Sequence, residues 1–430
     1  MAQDTTDRTG SGGGMSRRQF LYASAAAGVV ASSVSPAAYA QGSGKLRLGL
    51  IGCGGRGTGA AINNLTSNEN VELVAMGDLF DDRLKGALNR LKGHGKAKKK
   101  ITVTDETSFV GWDAYQKVID SGVDVVLLAT PPHFRPAQLR AAVEAGKHVF
   151  MEKPVCVDPA GARSVIETSK LADQKNLKIV AGTQRRHDAG YRKTIEAIHN
   201  GAIGEVRGGQ CYWNGGELWH RGRNDTGTQM EYQVRNWLYF TWLSGDHIVE
   251  QHVHNIDVIN WVMGGPPNSA LATGGRQVRT ADKYGEIFDH FATDFDYGNG
   301  VHVMSMCRQH DGAARRVAEH VTGTKGHADP SRWVEANGER QTFSGEGNPY
   351  NLEHVHLIDA IRNDRPLNEA KRVAESTLTA VMARMSAYTG RQVSWKWVLN
   401  ASKLDLSPKA YEFGPAPEPD VATPGETKLV

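Results

Sequence analysis

The sequence predicts a two-domain α/β plus α+β protein, in which a doubly wound parallel sheet precedes an open-faced antiparallel sheet. Apolar strand patterns alternate with helical patterns over residues 45–183, and such alternation builds a parallel sheet covered by helices. From about residue 204 the helical periodicity gives way to strand-type alternation, within a second domain predicted over 184–395. The 430 residues are enough for two separate cores.

The elements of the first domain follow from this alternation. Strands are predicted at 46–51, 71–76, 123–128, 147–150 and 177–181. Helices are predicted near 58–66, 81–92, 112–121, 135–145 and 158–174. Parallel strands connected in this way all end at one edge of the sheet, where ligands of open α/β sheets bind.

The second domain is predicted mainly from one hairpin. Apolar and polar residues alternate over 291–297 and 301–307, on either side of Gly298-Asn299-Gly300. Several such strands predict an open sheet with one face buried on helices or on a partner subunit. Helices are predicted at 351–363 and 370–388, and an irregular C-terminal tail is predicted over 396–430.

The N-terminus carries the pattern of an export signal. Two adjacent arginines in Ser16–Leu21 precede thirteen mostly small apolar residues, 22–34, and the small-residue motif at 38–40. Thirteen residues are too few to cross ~30 Å of hydrocarbon, and Ala-x-Ala is typical of a cleavage site. Residues 1–40 resemble a twin-arginine signal, which predicts folded export through the twin-arginine machinery to the periplasm and no membrane span in the mature chain. The alternatives are a true start at Met15 and a disordered arginine-bearing tail.

Composition argues against a nucleic-acid partner. The formal net charge is only +3, and the basic run 96–100 has no interleaved aromatic residue, so a solvated loop is the favoured interpretation. The four cysteines show no metal-like spacing, and a chain folded in the cytoplasm is expected to keep them as thiols.

The glycine-rich run 52–57 lies between the first predicted strand and the first predicted helix. Gly52 suits the tight turn, Gly54 lets the backbone approach a pyrophosphate, and Gly57 lets the helix pack closely on the sheet. Asp78 ends the second strand, where an acid binds the ribose 2′-hydroxyl of a dinucleotide. The pattern therefore predicts a dinucleotide site, the alternative being a glycine-rich turn that binds nothing.

The acid at the second strand end also favours one coenzyme. The charge of Asp78 would repel a 2′-phosphate, so NAD is predicted rather than NADP, although Arg56 and Arg83 leave NADP open. Two polar segments follow later strands: Thr130, Pro131 and His133 in one, and Glu152 and Lys153 in the other. A lysine partly desolvated at such a strand end can exchange a proton with a substrate hydroxyl; the alternative is a solvated charge.

Together with the glycine motif, Glu152-Lys153-Pro154 resembles the glucose–fructose oxidoreductase, inositol dehydrogenase and rhizopine-catabolism family, Gfo/Idh/MocA, over about 45–395. The resemblance implies a Rossmann domain followed by an open sheet domain through which subunits associate, here as a homodimer or homotetramer. It also implies NAD(P)-linked oxidation or reduction at a sugar or cyclitol carbon.

The resemblance further implies roles for individual residues. The family's catalytic lysine maps onto Lys153, and its Asp-x-x-x-His pair maps onto Glu250 and His254, with Glu departing from the usual Asp. The resulting set of cofactor contacts is Gly52, Gly54, Gly55, Arg56, Gly57, Asp78, Thr130, Pro131, His133, Glu152, Lys153 and Gln184. The predicted substrate contacts are Arg185, Trp219 and His254.

A continuous helix over 247–262 would place Glu250 and His254 on one face, so that the carboxylate could fix the imidazole tautomer. A metal bound by His247, Glu250 and His254 is the less favoured alternative, and no metal site is predicted. His252 would point away from this face as a structural histidine. Eight aromatic residues lie between 212 and 243; for most a core or interface role is favoured, and Trp219 is the predicted sugar contact.

Export constrains the chemistry, because little free NAD is available outside the cytoplasm. We therefore expect a tightly bound cofactor and a cycle without net redox change on a CH–OH group of a sugar, cyclitol or glycoside. One alternative is an NAD-dependent glycoside hydrolase that works by transient oxidation, elimination, water addition and re-reduction. The other is a non-catalytic sugar-binding protein.

Overall fold

The computed structural model describes residues 15–16, 44–223 and 227–430. Strand β1, Met15–Ser16, pairs antiparallel with Ala410–Tyr411, and the rest of the predicted signal lies outside the described residues. Every helix within the described ranges is too short or too polar to cross a lipid bilayer.

Six parallel strands form the sheet of the first domain. They are β2 Leu46–Ile51, β3 Val71–Asp78, β4 Ser108–Val110, β5 Val125–Leu128, β6 His148–Met151 and β7 Ile179–Ala181. The connecting helices are Gly55–Ser67, Asp81–Gly93, Ala114–Asp120, Arg135–Glu144 and Pro159–Gln174. In the order β4-β3-β2-β5-β6-β7, strands β3 and β4 are added on one side of β2, and β5, β6 and β7 on the other. This switch in the direction of strand addition places a ligand crevice between the ends of β2 and β5. The predicted doubly wound sheet is confirmed.

Within the described residues, nine strands form the sheet of the second domain. They are β8 Val206–Gly215, β9 Ser269–Gly275, β10 His290–Asp296, β11 His302–Gln309, β12 Arg316–Gly323, β13 Gly326–Asp329, β14 Trp333–Ala336, β15 Glu339–Thr342 and β16 Val393–Ser394. Their order is β15-β14-β13-β12-β8-β11-β10-β9-β16, with β8 and β11 parallel and the other neighbours antiparallel. The predicted hairpin is β10–β11, and its turn has positive φ at Gly298, Asn299 and Gly300.

Helices cover one face of this sheet. The α-helices of the second domain are Ala189–His199, Gln229–Arg235, Thr241–Ser244, His247–Glu250, Val253–Met263, Pro349–Arg362, Ala370–Thr389 and Trp395–Asn400. Ala370–Thr389 is buried along most of its length and packs on both β9 and Pro159–Gln174, so it joins the two domains. The opposite sheet face presents Leu271, Met304 and Met306 to solvent.

The C-terminal segment is more ordered than predicted. It begins inside a helix, Trp395–Asn400, and contains the short strand Ala410–Tyr411. It then packs on the first domain, where the Phe413 ring lies 5.9 Å from Phe80 and 5.6 Å from Trp112, measured between centroids. The four cysteines are buried and free, which confirms the prediction of thiols.

Candidate active site

The glycine loop, residues 52–57, is shaped by close backbone contacts. Gly52 has φ +93°, and a Cβ there would lie 2.6 Å from backbone atoms of Ala129 and Thr130. A Cβ on Gly57 would lie 1.9 Å from the carbonyl oxygen of Gly52. Gly54 instead faces open space, with no heavy atom within 4 Å of its added Cβ. The loop therefore packs tightly on its protein side and leaves free backbone surface on the other.

Asp78 fastens this loop to the end of β3. Its carboxylate accepts hydrogen bonds from the backbone N–H of Cys53, at 2.6 Å, and of Phe80, at 2.9 Å. Burial raises the pKa of Asp78, although both hydrogen bonds oppose the shift. Asp78 thus shapes the loop in addition to facing the cleft, a role that the sequence motif did not indicate.

A cleft of about 380 Å³ lies in front of the loop. Its lining includes eight residues predicted from the sequence: Gly52, Gly54, Gly55, Arg56, Asp78, Thr130, Pro131 and Trp219. The opposite wall is formed by five residues of the second domain: Trp219, Arg221, Val234, Arg235 and Trp237. There Arg235 donates to both carboxylate oxygens of Asp82, at 3.0 and 3.1 Å, and its guanidinium lies 3.9 Å from the Phe80 ring centroid. The two domains therefore hold each other across the cleft.

Other predicted cofactor residues lie outside this lining. Gly57 packs against Gly52, and the imidazole of His133 is 2.8 Å from the Tyr411 hydroxyl. Glu152 accepts a 2.5 Å hydrogen bond from Arg56, whose guanidinium also bonds Glu353 at 3.1 Å. The pairing of Arg56 with two carboxylates weakens its case as a 2′-phosphate ligand.

The second constellation, the Lys153 cluster, consists of Lys153, Glu250 and His254. Lys153 follows β6 and its Nζ donates to the backbone oxygen of Glu250 at 2.6 Å and to Glu250 Oε1 at 3.1 Å. Both side chains are about one-seventh exposed, at 13% and 14%. A desolvated ion pair with one remaining N–H donor is suited to bind and orient a hydroxyl group.

The predicted helix over 247–262 is broken in the structure, which corrects the expected pairing of Glu250 with His254. The chain forms His247–Glu250 and then Val253–Met263. At the break the N–H of His252 bonds the carbonyl of His247, five residues back, at 3.2 Å. Such a widened turn rotates the following residues, including His254, about the helix axis relative to Glu250. The carboxylate of Glu250 contacts Lys153 instead.

His254 is buried and stacks on Trp213, with ring centroids 5.7 Å apart. Burial lowers the pKa of His254 well below its ordinary value, and the charges of Lys153 and Arg185 lower it further. Within the described part of the chain, its Nδ1 has no hydrogen-bond partner. The site therefore contains a buried, neutral imidazole near the side chain of Lys153.

The remaining predicted contacts surround this cluster. Arg185 pairs with the buried Glu319, and its guanidinium lies 5.9 Å from the Trp213 ring centroid. Gln184 bonds the Tyr350 hydroxyl at 3.1 Å. Glu319 and Trp213 were not predicted as site residues, because they come from strands β12 and β8 and only the sheet register brings them here.

The less favoured metal set does not assemble. His247 Nδ1 lies 3.0 Å from the carboxylate of its neighbour Asp246, whereas Glu250 contacts Lys153. His252 is fully buried, with Nε2 at 2.7 Å from the Ser305 hydroxyl, which confirms its structural role.

Comparison with known protein families decides the affiliation of this fold and site. The model described as "Oxidoreductase family, NAD-binding Rossmann fold" matches residues 46–181, and that of the GFO/IDH/MocA C-terminal domain matches residues 191–329. The chain belongs to the Gfo/Idh/MocA family. Its first domain is thus an NAD-binding Rossmann domain.

Two named relatives are similar to this chain over part of their length. The myo-inositol 2-dehydrogenase of Thermotoga maritima is 28% identical over 229 residues, 53% of this chain and 58% of that protein. The 2,7-anhydro-N-acetylneuraminate hydratase of Mediterraneibacter gnavus is 25% identical over 207 residues, 47% of this chain and 50% of that protein. The chain therefore matches only about half the length of these relatives.

Solved structures of this family share the fold over nearly their whole length. The aldose-aldose oxidoreductase of Caulobacter crescentus gives a TM-score of 0.64 at 18% identity, covering 81% of this chain and 99% of that one. The scyllo-inositol dehydrogenase of Lactobacillus casei with bound NAD(H) and scyllo-inositol gives 0.62 at 19% identity, covering 81% and 99%. Both confirm the predicted pairing of a parallel-sheet domain with a mostly antiparallel one.

The glycine loop of this family member fits a dinucleotide. Gly54 and Gly55 face open space, and helix Gly55–Ser67 begins there with no acidic residue in its first turn. Its first N–H groups and positive dipole end are therefore directed at the cleft without a competing carboxylate of their own.

Proposed function

We propose that this chain is an NAD-dependent oxidoreductase acting on a CH–OH group of a sugar, cyclitol or glycoside. The observation that carries the proposal is the Lys153 cluster, which places a lysine ammonium and a neutral imidazole beside the strand ends that hold the glycine loop. A hydroxyl substrate requires one hydrogen-bond donor and one hydrogen-bond acceptor, and this cluster supplies both.

Each group then has a distinct role in binding. The backbone of Gly54 and Gly55 would hold the pyrophosphate, and Asp78 would accept from the adenosine ribose. When bound, NAD supplies reversible hydride exchange with a carbinol carbon. The free N–H of Lys153 would orient the substrate oxygen, and the neutral imidazole of His254 would accept a hydrogen bond or proton from it.

Tight cofactor binding is part of the proposal. A ligand in the cleft would lie between the glycine loop on one side and Trp219, Arg221 and Arg235 on the other. Its release would require separation of Arg235 from Asp82 and from the Phe80 ring, contacts made by both domains. Slow release would suit a protein that works away from the cytoplasmic NAD pool.

Folded export by the twin-arginine route is the matching proposal for location. It rests on the paired arginines, the short apolar run and the Ala-x-Ala motif of residues 1–40. Isolation from the periplasm with a new N-terminus near Gln41 would support it. A cytoplasmic chain with an intact N-terminus would contradict it.

Self-association through the open sheet is also proposed. Leu271, Met304 and Met306 are 53%, 47% and 44% exposed, on the face that none of the helices within residues 44–223 and 227–430 covers. A second copy of the chain would bury these apolar side chains. The particle mass in solution by light scattering tests this, and a monomeric mass at micromolar concentration would contradict it.

The decisive experiment is mass spectrometry of the nucleotide released when purified protein is denatured. About one NAD per chain is expected, followed by a 340 nm change when sugars or cyclitols are added to the intact protein. Aglycone release from aryl glycosides without added NAD would instead indicate the glycoside hydrolase alternative. NAD retained with no turnover of any sugar or glycoside would indicate a binding protein and overturn the proposal.

A further inference from the structure

Asp289, His290 and His310 form a separate cluster that the proposed function does not use. Asp289 and His290 lie at the start of β10, and His310 follows the end of β11, its hairpin partner. Asp289 Oδ1 lies 2.7 Å from His290 Nδ1 and 3.0 Å from His310 Nε2. One atom from each side chain falls within 4.8 Å of the other two.

The carboxylate of Asp289 is held rigidly from behind. Its Oδ2 accepts backbone N–H bonds from Gln277, Val278 and Arg279, at 2.7, 2.7 and 2.9 Å. The side chain is fully buried, and this fixes Oδ1 in the direction of the two imidazoles.

We propose that Asp289, His290 and His310 form a binding site for one divalent transition cation of the zinc class. Imidazole nitrogen and carboxylate oxygen are preferred zinc ligands, with bonds of about 2.0–2.2 Å. Tetrahedral coordination at such bond lengths separates ligand atoms by about 3.3 Å. The observed separations of 2.7 and 3.0 Å need to open by only a few tenths of an ångström.

The cluster leaves room for a fourth ligand on its outer side. Asp289 is fully buried, whereas the side chains of His290 and His310 are 41% and 17% exposed. Three protein ligands with one open position are typical of zinc sites that bind water or substrate oxygen. The three backbone N–H donors on Oδ2 correspond to the outer hydrogen bonds that orient metal-binding carboxylates.

The cation would stabilise the region between this cluster and the candidate active site. Gln309, which precedes His310, donates to the side chain of Gln251, next to Glu250. On the other side, Asp311 accepts from the backbone N–H of Glu217 at 2.9 Å, in the loop that leads to Trp219. The alternative is a metal-free arrangement in which both imidazoles donate a hydrogen bond to the same carboxylate oxygen.

The test measures metal binding by the full-length protein, not its activity. Chelator-treated protein is titrated with Co²⁺ and Zn²⁺, and the bound metal per chain, the visible Co²⁺ absorption and the thermal midpoint are recorded. We expect one cation per chain, a tetrahedral Co²⁺ spectrum and a raised thermal midpoint. His290→Gln and His310→Gln should each weaken Co²⁺ binding at least tenfold.

The matched control is His302→Gln, which removes another histidine of the same hairpin that is paired with a carboxylate, Asp294 at 3.0 Å. It should bind cobalt as the wild type does. Wild-type protein with no stoichiometric cation, or wild-type Co²⁺ affinity in either His290→Gln or His310→Gln, overturns the proposal. If His310→Gln fails to fold, the more exposed His290→Gln still decides. The result is independent of the NAD content and of sugar turnover, so it does not depend on the proposed function.

Discussion

The glycine loop and the Lys153 cluster lie at the same edge of the parallel sheet, after β2 and β6, but are built from different groups. The loop offers backbone: Gly54 and Gly55 face open space, and the loop's close contacts are made by main-chain atoms. The cluster offers side chains that already contact each other, with the Lys153 ammonium on Glu250 and the His254 ring on Trp213.

This difference predicts how each region fails. A backbone site depends on shape, so an added methyl group should damage it while a distant charge change should not. A site of paired side chains depends on charge and protonation, so a substitution of similar size without the charge should abolish its chemistry and leave cofactor binding intact.

The largest expected effect is that of Lys153→Met. It retains much of the side-chain volume but removes the ammonium that donates to Glu250. Turnover of the preferred sugar should fall by about 10²–10⁴-fold, the usual size of a lost acid–base contribution. Steady-state rates measure this loss, and mass spectrometry of the released nucleotide should show unchanged NAD content.

Lys147→Met is the matched control, since Lys147 immediately precedes the same strand at its opposite end. Turnover of that variant should remain within about twofold of wild type, because surface substitutions rarely exceed ~0.5 kcal/mol. Wild-type turnover by Lys153→Met would remove the cluster from the chemistry. Loss of NAD in Lys153→Met would show that the two regions are not separable.

The next largest effect is expected from Gly57→Ala. Its Cβ would lie 1.9 Å from the carbonyl oxygen of Gly52, so the loop must open. The dissociation constant for NAD should rise about 100-fold or more, equivalent to about 2.7 kcal/mol. Isothermal titration of nucleotide-free protein provides the measurement.

Alanine substitutions at two further glycines distinguish two causes of weaker NAD binding, strain within the loop and a steric clash with the ligand. Gly54→Ala adds a methyl group that meets no protein atom, so the fold should be intact while NAD binding weakens. Gly86→Ala, inside helix Asp81–Gly93 and also free of contacts, should bind NAD normally. Equal NAD affinity in Gly54→Ala and Gly86→Ala would contradict the assigned pyrophosphate position.

The same contrast explains what the sequence could predict. Buried parallel strands are short apolar runs, and residues at their ends meet at one edge, so Gly52, Asp78 and Lys153 could be placed from their order alone. Strand β4 was missed because it is a three-residue edge strand, Ser108–Val110, without a buried position. The local pattern contains no signal for such a strand.

The Lys153 cluster was predicted less well because its geometry depends on one hydrogen bond. Regular helical spacing predicts Glu250 and His254 on one helix face. The hydrogen bond from His252 N–H to the carbonyl of His247, five residues back, rotates the two residues away from that alignment. Trp213 and Glu319 reach the site only through the register of β8 with β12. Neither the widened turn nor the register is encoded in a local motif.

Acid provides a third test, through the pH dependence of stability. His148 begins β6, the strand that Lys153 follows, and its Nδ1 accepts from the backbone N–H of Lys178 at 2.9 Å. Burial and the charge of Lys178 lower the pKa of His148 to about 4. The unfolded chain takes up this proton near pH 6.5, so stability is full above that pH and is lost as the pH falls toward 4.

This histidine should account for up to about 3 kcal/mol of that loss, at 1.36 kcal/mol per pKa unit. His148→Asn keeps an acceptor near Nδ1 and removes the titration, so its urea-unfolding free energy should fall less between pH 6.5 and 4. His94→Gln, on a partly exposed ring after helix Asp81–Gly93, is the control. Parallel pH profiles for wild type and His148→Asn would show that protonation of His148 does not limit stability.

The smallest expected effect concerns coenzyme choice. Asp78 both accepts hydrogen bonds from the loop backbone and presents a negative charge to the cleft. Asp78→Asn keeps one acceptor for Cys53 or Phe80 but loses the negative charge that faces the cleft. The ratio of NADP to NAD dissociation constants should fall about tenfold, or about 1.4 kcal/mol, because repulsion of a 2′-phosphate is removed. Asp81→Asn, whose exposed carboxylate pairs with Lys85, should leave the ratio unchanged. If both coenzymes weaken equally in Asp78→Asn, this residue acts only by holding the loop, and selectivity must come from elsewhere in the cleft.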